Sequence, residues 1–320
     1  MVNVVAIQQP LLHFLMKMAG VKKHLVQINP GTVMNFWIPS ETLNNPKNNK
    51  TNPTSETDSN VARPNKPVIV LIHGFAAEGI VTWQFQIGSL TKKYSVYVPD
   101  LLFFGDSISD SPDRSPAFQA ECVVKGLEKL GVERCTVVGF SYGGMVAFKM
   151  AEMYPEFVEN MVVSGSVLAM TDSISDATLE SLGFGSSSEL LLPTSVEGLK
   201  ALFSVAAYTK FWFPNRVYKD YLEVMFNNRK ERAELLEGLI VSNKDTIVPI
   251  FNQKRIHLLW GADDQIFKFE LAKNMKEQLG EMATYESIEK AGHLVHLERP
   301  CVYNKCLKQF LDSLQNTHAQ

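Results

Sequence analysis

The sequence predicts an α/β protein in which a mostly parallel, eight-stranded sheet is flanked by helices and carries a helical cap insertion. Beyond residue 66, short apolar runs alternate with stretches of helical periodicity, as is typical of parallel strands joined by crossover helices. The alternation stops between about residues 168 and 248, where aromatic-rich helical segments follow one another without a strand. This stretch predicts the cap. The sequence on either side of it predicts a single core domain into which the cap is inserted.

Six strands and four helices are predicted in the core beyond residue 66. The strands cover residues 68–72, 95–98, 135–139, 160–164, 256–260 and 284–288, and the helices cover residues 116–130, 142–153, 269–279 and 300–314. The core is therefore assigned to residues 1–169 and 248–320, and the cap to residues 170–247.

The first 66 residues predict a helix, a hairpin and a polar loop. Residues 10–20 are apolar but interrupted by polar side chains, which predicts an amphipathic helix packed on the protein or over the mouth of its pocket. Peripheral contact of this N-terminal segment with a membrane is a second interpretation. Residues 24–28 and 32–38 flank a turn signal and predict an antiparallel hairpin. Residues 41–66 contain almost no bulky apolar side chain and predict a mobile loop.

Composition and charge exclude several classes of protein. With 45% hydrophobic and 20% charged residues, the chain of 320 residues can bury a large core and is neither disordered nor fibrous. Its net charge of -3 and scattered basic residues exclude nucleic acid as a partner. The cysteines, at positions 122, 135, 301 and 306, have no spacing typical of a zinc site or a disulfide framework. They predict reduced thiols in a cytoplasmic protein, and no cofactor or metal is expected.

The clearest local signal is Gly139-Phe140-Ser141-Tyr142-Gly143, which follows an apolar strand and runs directly into a helical pattern. A nucleophile elbow needs this arrangement, because its glycines leave room for a strained turn that lifts the serine hydroxyl above the sheet. The start of the following helix also favours developing negative charge. Ser141 is therefore the candidate nucleophile, and a chance turn is the alternative for the pentapeptide alone.

A serine hydroxyl is a weak nucleophile, so it needs a base and an acid that orients the base. His293 lies between the last predicted strand and the last helix, where its ring can reach Ser141, and the glycine before it favours it over His296. Asp264 follows the penultimate strand and is preferred over Asp263, which could cap the turn. The three preferred residues predict a catalytic triad.

Acyl transfer also requires hydrogen-bond donors for the oxyanion. These donors are usually the backbone amides of the residue after the nucleophile and of a residue in the loop after an earlier strand. The sequence predicts the amides of Tyr142 and Phe75 for this role, because Gly74 lets the chain turn tightly before Phe75. His73 is interpreted as a structural member of the same loop.

With these residues assembled, the chain resembles the capped α/β-hydrolases, and among them plant serine hydrolases related to monoacylglycerol lipases of the α/β-hydrolase domain-containing type. The motifs that carry the resemblance are HGF at 73–75, PDLLFFG at 99–105, GFSYGG at 139–144, WGADDQIF at 260–267, and Gly292-His293 followed by ERP at 298–300. The resemblance implies the α/β-hydrolase fold and a serine esterase or lipase. Epoxide hydrolases and haloalkane dehalogenases carry aspartate at the elbow, so Ser141 disfavours their chemistry.

Bulky residues in the cap predict an apolar substrate pocket. The aromatic side chains of its middle part are Phe203, Tyr208, Phe211, Trp212, Phe213, Tyr218, Tyr221 and Phe226. A short insertion has limited room to bury them all within itself, so some should face the pocket, although packing inside the cap is the alternative for each one. The candidate pocket residues are Phe103, Phe104, Met145, Phe211 and Trp212.

The sequence is compatible with three functional hypotheses. The first is hydrolysis of hydrophobic small-molecule or lipid esters through an acyl-enzyme on Ser141. The second uses the same triad for carbon-carbon bond or thioester hydrolysis, for acyl transfer, or for a lyase-like step in specialised metabolism. The third is a small-molecule receptor with slow or no turnover. The oligomeric state is left open.

Overall fold

The computed structural model describes residues 3–43, 61–243 and 250–316. Within these residues the main sheet has nine strands, eight of which follow the spatial order β1-β2-β4-β3-β6-β7-β10-β11. Their bounds are Val21–Asn29 (β1), Thr32–Pro39 (β2), Val68–Ile72 (β3), Ser95–Pro99 (β4), Cys135–Phe140 (β6), Val158–Ser164 (β7), Arg255–Gly261 (β10) and Ala283–Ile288 (β11). The ninth strand, Ile108–Ser109 (β5), is short and pairs antiparallel with β2 outside this order.

The sheet confirms the predicted mostly parallel architecture. β1 and β2 form the predicted antiparallel hairpin, and β2 pairs antiparallel with β4. From β4 to β11 every neighbouring pair is parallel. The carboxyl ends of β3, β6 and β10 therefore meet at one edge, where the loops that follow them can combine their side chains.

Helices cover both faces of the sheet. The helices outside the cap are Val4–Met18 (α1), Gly79–Thr82 (α2), Ile87–Leu90 (α3), Pro116–Lys129 (α4), Tyr142–Met153 (α5), Phe269–Leu279 (α11), Val295–Glu298 (α12) and Pro300–Asn316 (α13). Alternate residues of β3 pack on opposite sides, with Val70 in one apolar cluster and Leu71 in the other. The cluster of Val70 includes side chains of α4, α5 and α11, whereas that of Leu71 includes side chains of α13.

Among the described residues between β7 and β10, five helices lie in the stretch for which the sequence predicts a cap, and this helical segment is called the cap below. They are Asp172–Leu182 (α6), Ser187–Leu191 (α7), Val196–Ala206 (α8), Asn215–Met225 (α9) and Arg229–Leu239 (α10). Two strands that the sequence did not predict, Met170–Thr171 (β8) and Ile240–Val241 (β9), pair in parallel at the base of the segment. They are too short to produce a recognisable alternation. The predicted boundary at 247/248 lies outside the described residues.

Helix α1 starts six residues before the predicted segment. The side chain of Asn3 caps it by accepting a hydrogen bond from the amide of Ala6, and Pro10 lies inside the helix. The helix also contacts the cap, because Asn3 Nδ2 donates to the carbonyl of Asp220 at 3.2 Å and the amide of Val4 donates to Asp220 Oδ2 at 2.7 Å. Within the described part of the chain, no helix has both the length and the apolar character needed to cross a membrane.

Most of the predicted mobile loop, residues 44–60, lies outside the described residues. Near its two ends the structure has local order that the prediction of a mobile loop does not include. Ser40–Thr42 form a turn of 3₁₀ helix, and Leu43 pairs with Val61 in an isolated antiparallel bridge. Both of these apolar side chains pack against the core, which accounts for the order at this point.

Candidate active site

Ser141 occupies a strained turn between β6 and α5. Its φ is 53° and its ψ is -122°, a backbone conformation that residues with a side chain rarely adopt. The amide of Ser141 donates to the carbonyl of Ser164 at 2.9 Å, and the hydroxyl of Ser166 donates to the carbonyl of Ser141 at 2.8 Å. A Cβ at Gly143 would overlap the carbonyl oxygen of His73, so this position of the turn requires glycine.

The structure brings Ser141, His293 and Asp264 into one hydrogen-bonded chain. His293 Nε2 lies 3.0 Å from Ser141 Oγ, and His293 Nδ1 lies 2.9 Å from Asp264 Oδ2. The other carboxylate oxygen of Asp264 accepts hydrogen bonds from the amides of Ile266 and Phe267, each at 2.9 Å. Both His293 and Asp264 are buried. Because the carboxylate of Asp264 holds the Nδ1 side of the ring, the imidazole of His293 presents Nε2 as an acceptor for the serine hydroxyl.

The neighbouring alternatives for base and acid lie in different environments. His296 is fully buried and packs between the rings of Phe140 and Trp83, with centroid distances of 4.4 and 5.0 Å. Burial, with a smaller contribution from His293, lowers the pKa of His296 to about 3, so its imidazole stays neutral near pH 7. Asp263 is exposed, and the carboxylate that meets His293 Nδ1 is that of Asp264.

The loop after β3 places Phe75 beside the nucleophile. A Cβ at Gly74 would lie 3.2 Å from the Cβ of Ser141, which shows how closely the two backbone segments approach. His73 supports this loop from inside the core: its Nε2 accepts from the amide of Leu101 at 2.9 Å. Burial lowers the pKa of His73 to about 4, so the ring is neutral and acts as this acceptor. Tyr142 is the first residue of α5, so its amide has no acceptor within the helix.

A cavity of about 600 Å³ opens at Ser141 and His293. Its walls come from α1, from the loop after β3 and from the cap. The apolar wall residues include Val5, Leu12, Leu15, Phe75, Val81, Leu202, Phe203, Phe211, Phe213, Tyr218 and Tyr221. A smaller cavity of about 50 Å³ also contacts Ser141 and His293, and Met145 lines it. Of the five predicted pocket residues, Phe211 and Met145 thus line a cavity at the nucleophile.

The other three predicted pocket residues, Phe103, Phe104 and Trp212, line neither cavity, so the prediction differs from the structure for them. Phe104 is buried in the core, with its ring centroid 5.0 Å from that of His73. Phe103 is also buried and packs under the guanidinium of Arg114, 4.6 Å from the ring centroid. Trp212 is 85% exposed and lies on the surface of the cap.

Sequence reasoning missed polar residues of the smaller cavity. Ser175, Thr178 and Ser187, from α6 and α7, contribute hydroxyl-bearing side chains to its wall. Ser175 is buried although it is polar. Isolated serines and threonines on helices match no motif, so only the folded arrangement indicates their position beside Ser141.

Comparison with known proteins identifies the family of the chain. Residues 67–300 match the family model of the alpha/beta hydrolase fold. Human monoacylglycerol lipase ABHD6 is 27% identical over 264 residues, which cover 79% of this chain and 77% of that protein. Human epoxide hydrolase 4 is 21% identical over 280 residues, covering 77% of this chain and 72% of that protein.

Solved structures agree in fold. A crystal structure of a putative lipase from Acinetobacter baumannii superimposes with a TM-score of 0.76 at 21% identity and covers 97% of both chains. The match of the family model over most of the chain confirms the predicted family, whereas the relation to plant proteins stays a prediction. The chain belongs to the family of the alpha/beta hydrolase fold.

Proposed function

We propose that this protein is a serine hydrolase that cleaves carboxylic esters of hydrophobic small molecules or lipids through an acyl-enzyme on Ser141. The observation that carries the proposal is the chain of hydrogen bonds from Ser141 through His293 to Asp264 at the end of an apolar cavity. The relatedness to a monoacylglycerol lipase supports the same conclusion.

In the proposed mechanism, Ser141 Oγ attacks the ester carbonyl while His293 Nε2 accepts the hydroxyl proton. Asp264 stabilises the resulting imidazolium and keeps its ring in place. The tetrahedral intermediate then breaks its bond to the alcohol, which takes the proton back from His293. Water attacks the acyl-enzyme with His293 again as the base, and the carboxylic acid leaves as the Ser141 hydroxyl is restored.

The amides of Phe75 and Tyr142 are assigned to the oxyanion. The amide of Tyr142 is unpaired within α5, and the close approach of Gly74 to Ser141 supports a position for the next amide on the same side of the nucleophile. Donors that are fixed before the reaction stabilise the developing charge more effectively than water, because they need no reorganisation.

The two cavities at Ser141 support a substrate with two unlike parts. The large cavity has a mainly apolar wall and fits a long acyl chain or another bulky hydrophobic group. The small cavity is also lined mainly by apolar side chains, but Ser175, Thr178 and Ser187 are among its lining residues, which supports a small alcohol group there. A monoester of a small polyol combines both features.

A serine nucleophile suits ester hydrolysis and does not suit the opening of epoxides. Attack of Ser141 on an epoxide would form an ether, which water activated by a histidine does not cleave, so turnover would stop there. An ester of Ser141, in contrast, has a carbonyl that water can attack. The resemblance to epoxide hydrolases therefore concerns the fold.

The outer face of α1 supports the further proposal that the protein contacts membranes peripherally. Ile7, Leu11, Phe14 and Met18 are each more than half exposed, and they recur at helical spacing on one side of the helix. Because α1 also lines the large cavity, a hydrophobic substrate could pass from the lipid into the site. In flotation with phosphatidylcholine vesicles, Phe14→Ser should reduce binding and Leu25→Ser, an exposed leucine on β1, should leave it unchanged. Equal flotation of all three proteins would refute this contact.

All four cysteines are free thiols, and three of them are buried. Buried thiols persist in a reducing compartment, which supports the proposal that the protein acts in the cytoplasm. Recovery of the protein in oxidising compartments of fractionated cells would contradict it.

Labelling with a fluorophosphonate probe tests the proposed function. The wild type should be labelled, as should Ser204→Ala, which changes an exposed serine of α8, whereas Ser141→Ala should not be labelled. With p-nitrophenyl esters of increasing chain length, kcat/KM should rise by up to about fourfold per methylene, since each buried methylene contributes about 0.8 kcal/mol. A folded wild type that resists the probe, or a rate that falls steadily from acetate onward, would contradict the proposal.

A further inference from the structure

The carboxylate of Glu298 joins the loop of His293 to the cap. Its Oε2 accepts hydrogen bonds from the amides of Gly292 at 2.7 Å and Tyr208 at 3.1 Å, and its Oε1 accepts one from the amide of Thr209 at 2.7 Å. Hydrogen bonds to a charged acceptor are stronger than those between neutral groups. One side chain therefore bridges two parts of the fold that are distant in sequence.

The backbones of the two parts also touch directly. The amide of Leu294 donates to the carbonyl of Ala206 at 3.0 Å. A Cβ at Gly292 would lie 2.7 Å from the nitrogen of Tyr208 and 3.0 Å from the oxygen of Ala206. No side chain fits between Gly292 and residues 206–209, so these residues pack directly against the backbone of the loop that carries His293.

The cap segment held in this way continues into the wall of the large cavity. Ala206, Phe211 and Phe213 all line it. The rings of Phe211 and Phe213 are stacked, with centroids 6.0 Å apart, and Phe213 packs edge-on against Tyr218 at 5.9 Å. The distance of this aromatic wall from Ser141 therefore depends on where residues 206–209 are anchored.

Building on the proposed function, we propose that Glu298 is a positioning residue that holds the aromatic wall of the cap at a fixed place relative to His293. Glu298 lines neither cavity at Ser141 and acts through backbone amides at both ends. On one side it restrains Gly292, which precedes His293, and on the other it restrains the segment that leads to Phe211 and Phe213. Without it, long acyl chains should lose more of their binding than short ones, because only long chains reach the aromatic wall.

Kinetics with p-nitrophenyl acetate and decanoate test this proposal. Glu298→Ala should lower kcat/KM for the decanoate by about 10- to 100-fold, mainly through KM, with a smaller loss for the acetate. Glu298→Gln keeps one oxygen acceptor but turns an amide group toward the remaining N–H donors, so its loss should be intermediate. The matched control is Glu289→Gln, which neutralises an exposed carboxylate of the same loop and should behave as the wild type.

A second variant reaches the same contact without changing Glu298. Gly292→Ala pushes a methyl group against Tyr208, so it should also impair the decanoate more than the acetate. Equal losses for both esters in Glu298→Ala and Gly292→Ala, or wild-type kinetics in both, would overturn the proposal.

Hydrogen exchange gives a readout that does not depend on turnover. The amides of Tyr208, Thr209 and Gly292 should exchange faster in Glu298→Ala and Glu298→Gln than in the wild type and in Glu289→Gln. Unchanged exchange at these amides would refute the positioning role. If the wild type resists the fluorophosphonate probe while these amides respond as expected, the proposed function fails and the structural part of the inference stands.

Discussion

Replacing Asp264 by asparagine should remove most of the activity while leaving the fold intact. The carbonyl oxygen of the new side chain would take the place of Oδ1, which accepts from the amides of Ile266 and Phe267, each at 2.9 Å. The NH₂ group would then face His293 Nδ1 across the 2.9 Å that Oδ2 now spans. Since NH₂ is a donor, the imidazole would have to turn Nδ1 into an acceptor and carry its proton on Nε2. In that tautomer it cannot accept the proton of Ser141.

The opposite orientation of the new side chain does not rescue the site. It would set NH₂ against two backbone donors, and each of the two lost hydrogen bonds costs about 1 kcal/mol. The orientation that turns NH₂ toward His293, which impairs the reaction, is therefore favoured by about 2 kcal/mol or more. For a wrong tautomer of this kind, kcat falls by about 10⁴-fold. The shape of the side chain is unchanged, so the melting temperature should move little.

Initial rates with a p-nitrophenyl ester measure the effect, and thermal unfolding checks the fold. The matched control is Asp263→Asn, which changes an exposed carboxylate beside the first and should keep kcat within about twofold of the wild type. A loss below about tenfold in Asp264→Asn, or an equal loss in the control, would show that Asp264 does not set the tautomer of His293.

Three further predictions concern stability and specificity. Burial, followed by the charge of Glu78, raises the pKa of Asp100 from 3.8 to about 7. Between pH 3.8 and about 7, the folded state thus holds a proton on Asp100 that the unfolded chain has released. The free energy of unfolding should therefore fall as the pH rises through this range. Denaturant unfolding at several pH values checks this, and a smaller fall is expected in Glu78→Gln; an unchanged slope would contradict the coupling. Gly143→Ala should lower the unfolding free energy by about 1 to 3 kcal/mol, because its Cβ would overlap the carbonyl of His73; a wild-type denaturation midpoint would refute this overlap. Ser175→Ala should reduce the kcat/KM ratio of glyceryl over methyl esters, whereas an unchanged ratio would exclude Ser175 from alcohol binding.

The sheet and the arrangement around Ser141 can be predicted from the sequence because their signals are local. A buried parallel strand shows as a continuous apolar run; β3 is such a run, and β6 is mostly apolar apart from Thr136. The turn after β6 has its own glycine pattern, which indicates Ser141. Chain order then leaves His293 or His296 as the base and Asp264 or Asp263 as the acid, and the glycine before His293 and the turn-capping role open to Asp263 favour His293 and Asp264. The structure places these three side chains in hydrogen-bonding order.

The walls of the cavities are harder to predict from the sequence, because they depend on contacts between segments that are distant in sequence. The sequence analysis places Phe103 and Phe104 near the mouth of the pocket. In the structure Phe103 has a φ of 72°, and the chain there turns both side chains into the core. Trp212 lies outside any helix, where no periodicity indicates the buried side. Helix α1 lines the cavity while its capping residue Asn3 contacts Asp220 of α9, 217 residues away in sequence, and such a contact has no local signal.

The position of α1 has a practical consequence for how this protein is handled. Neither the main sheet nor the hydrogen-bonded chain at Ser141 contains a residue of positions 3–18, so a protein that lacks these positions keeps the groups that would react with a small probe. Yet Val5, Leu12 and Leu15 would be missing from the enclosure, and the rings of Phe203 and Tyr221 would meet water. Selectivity measured on a shortened or N-terminally fused protein would therefore describe a different enclosure from that of the intact chain.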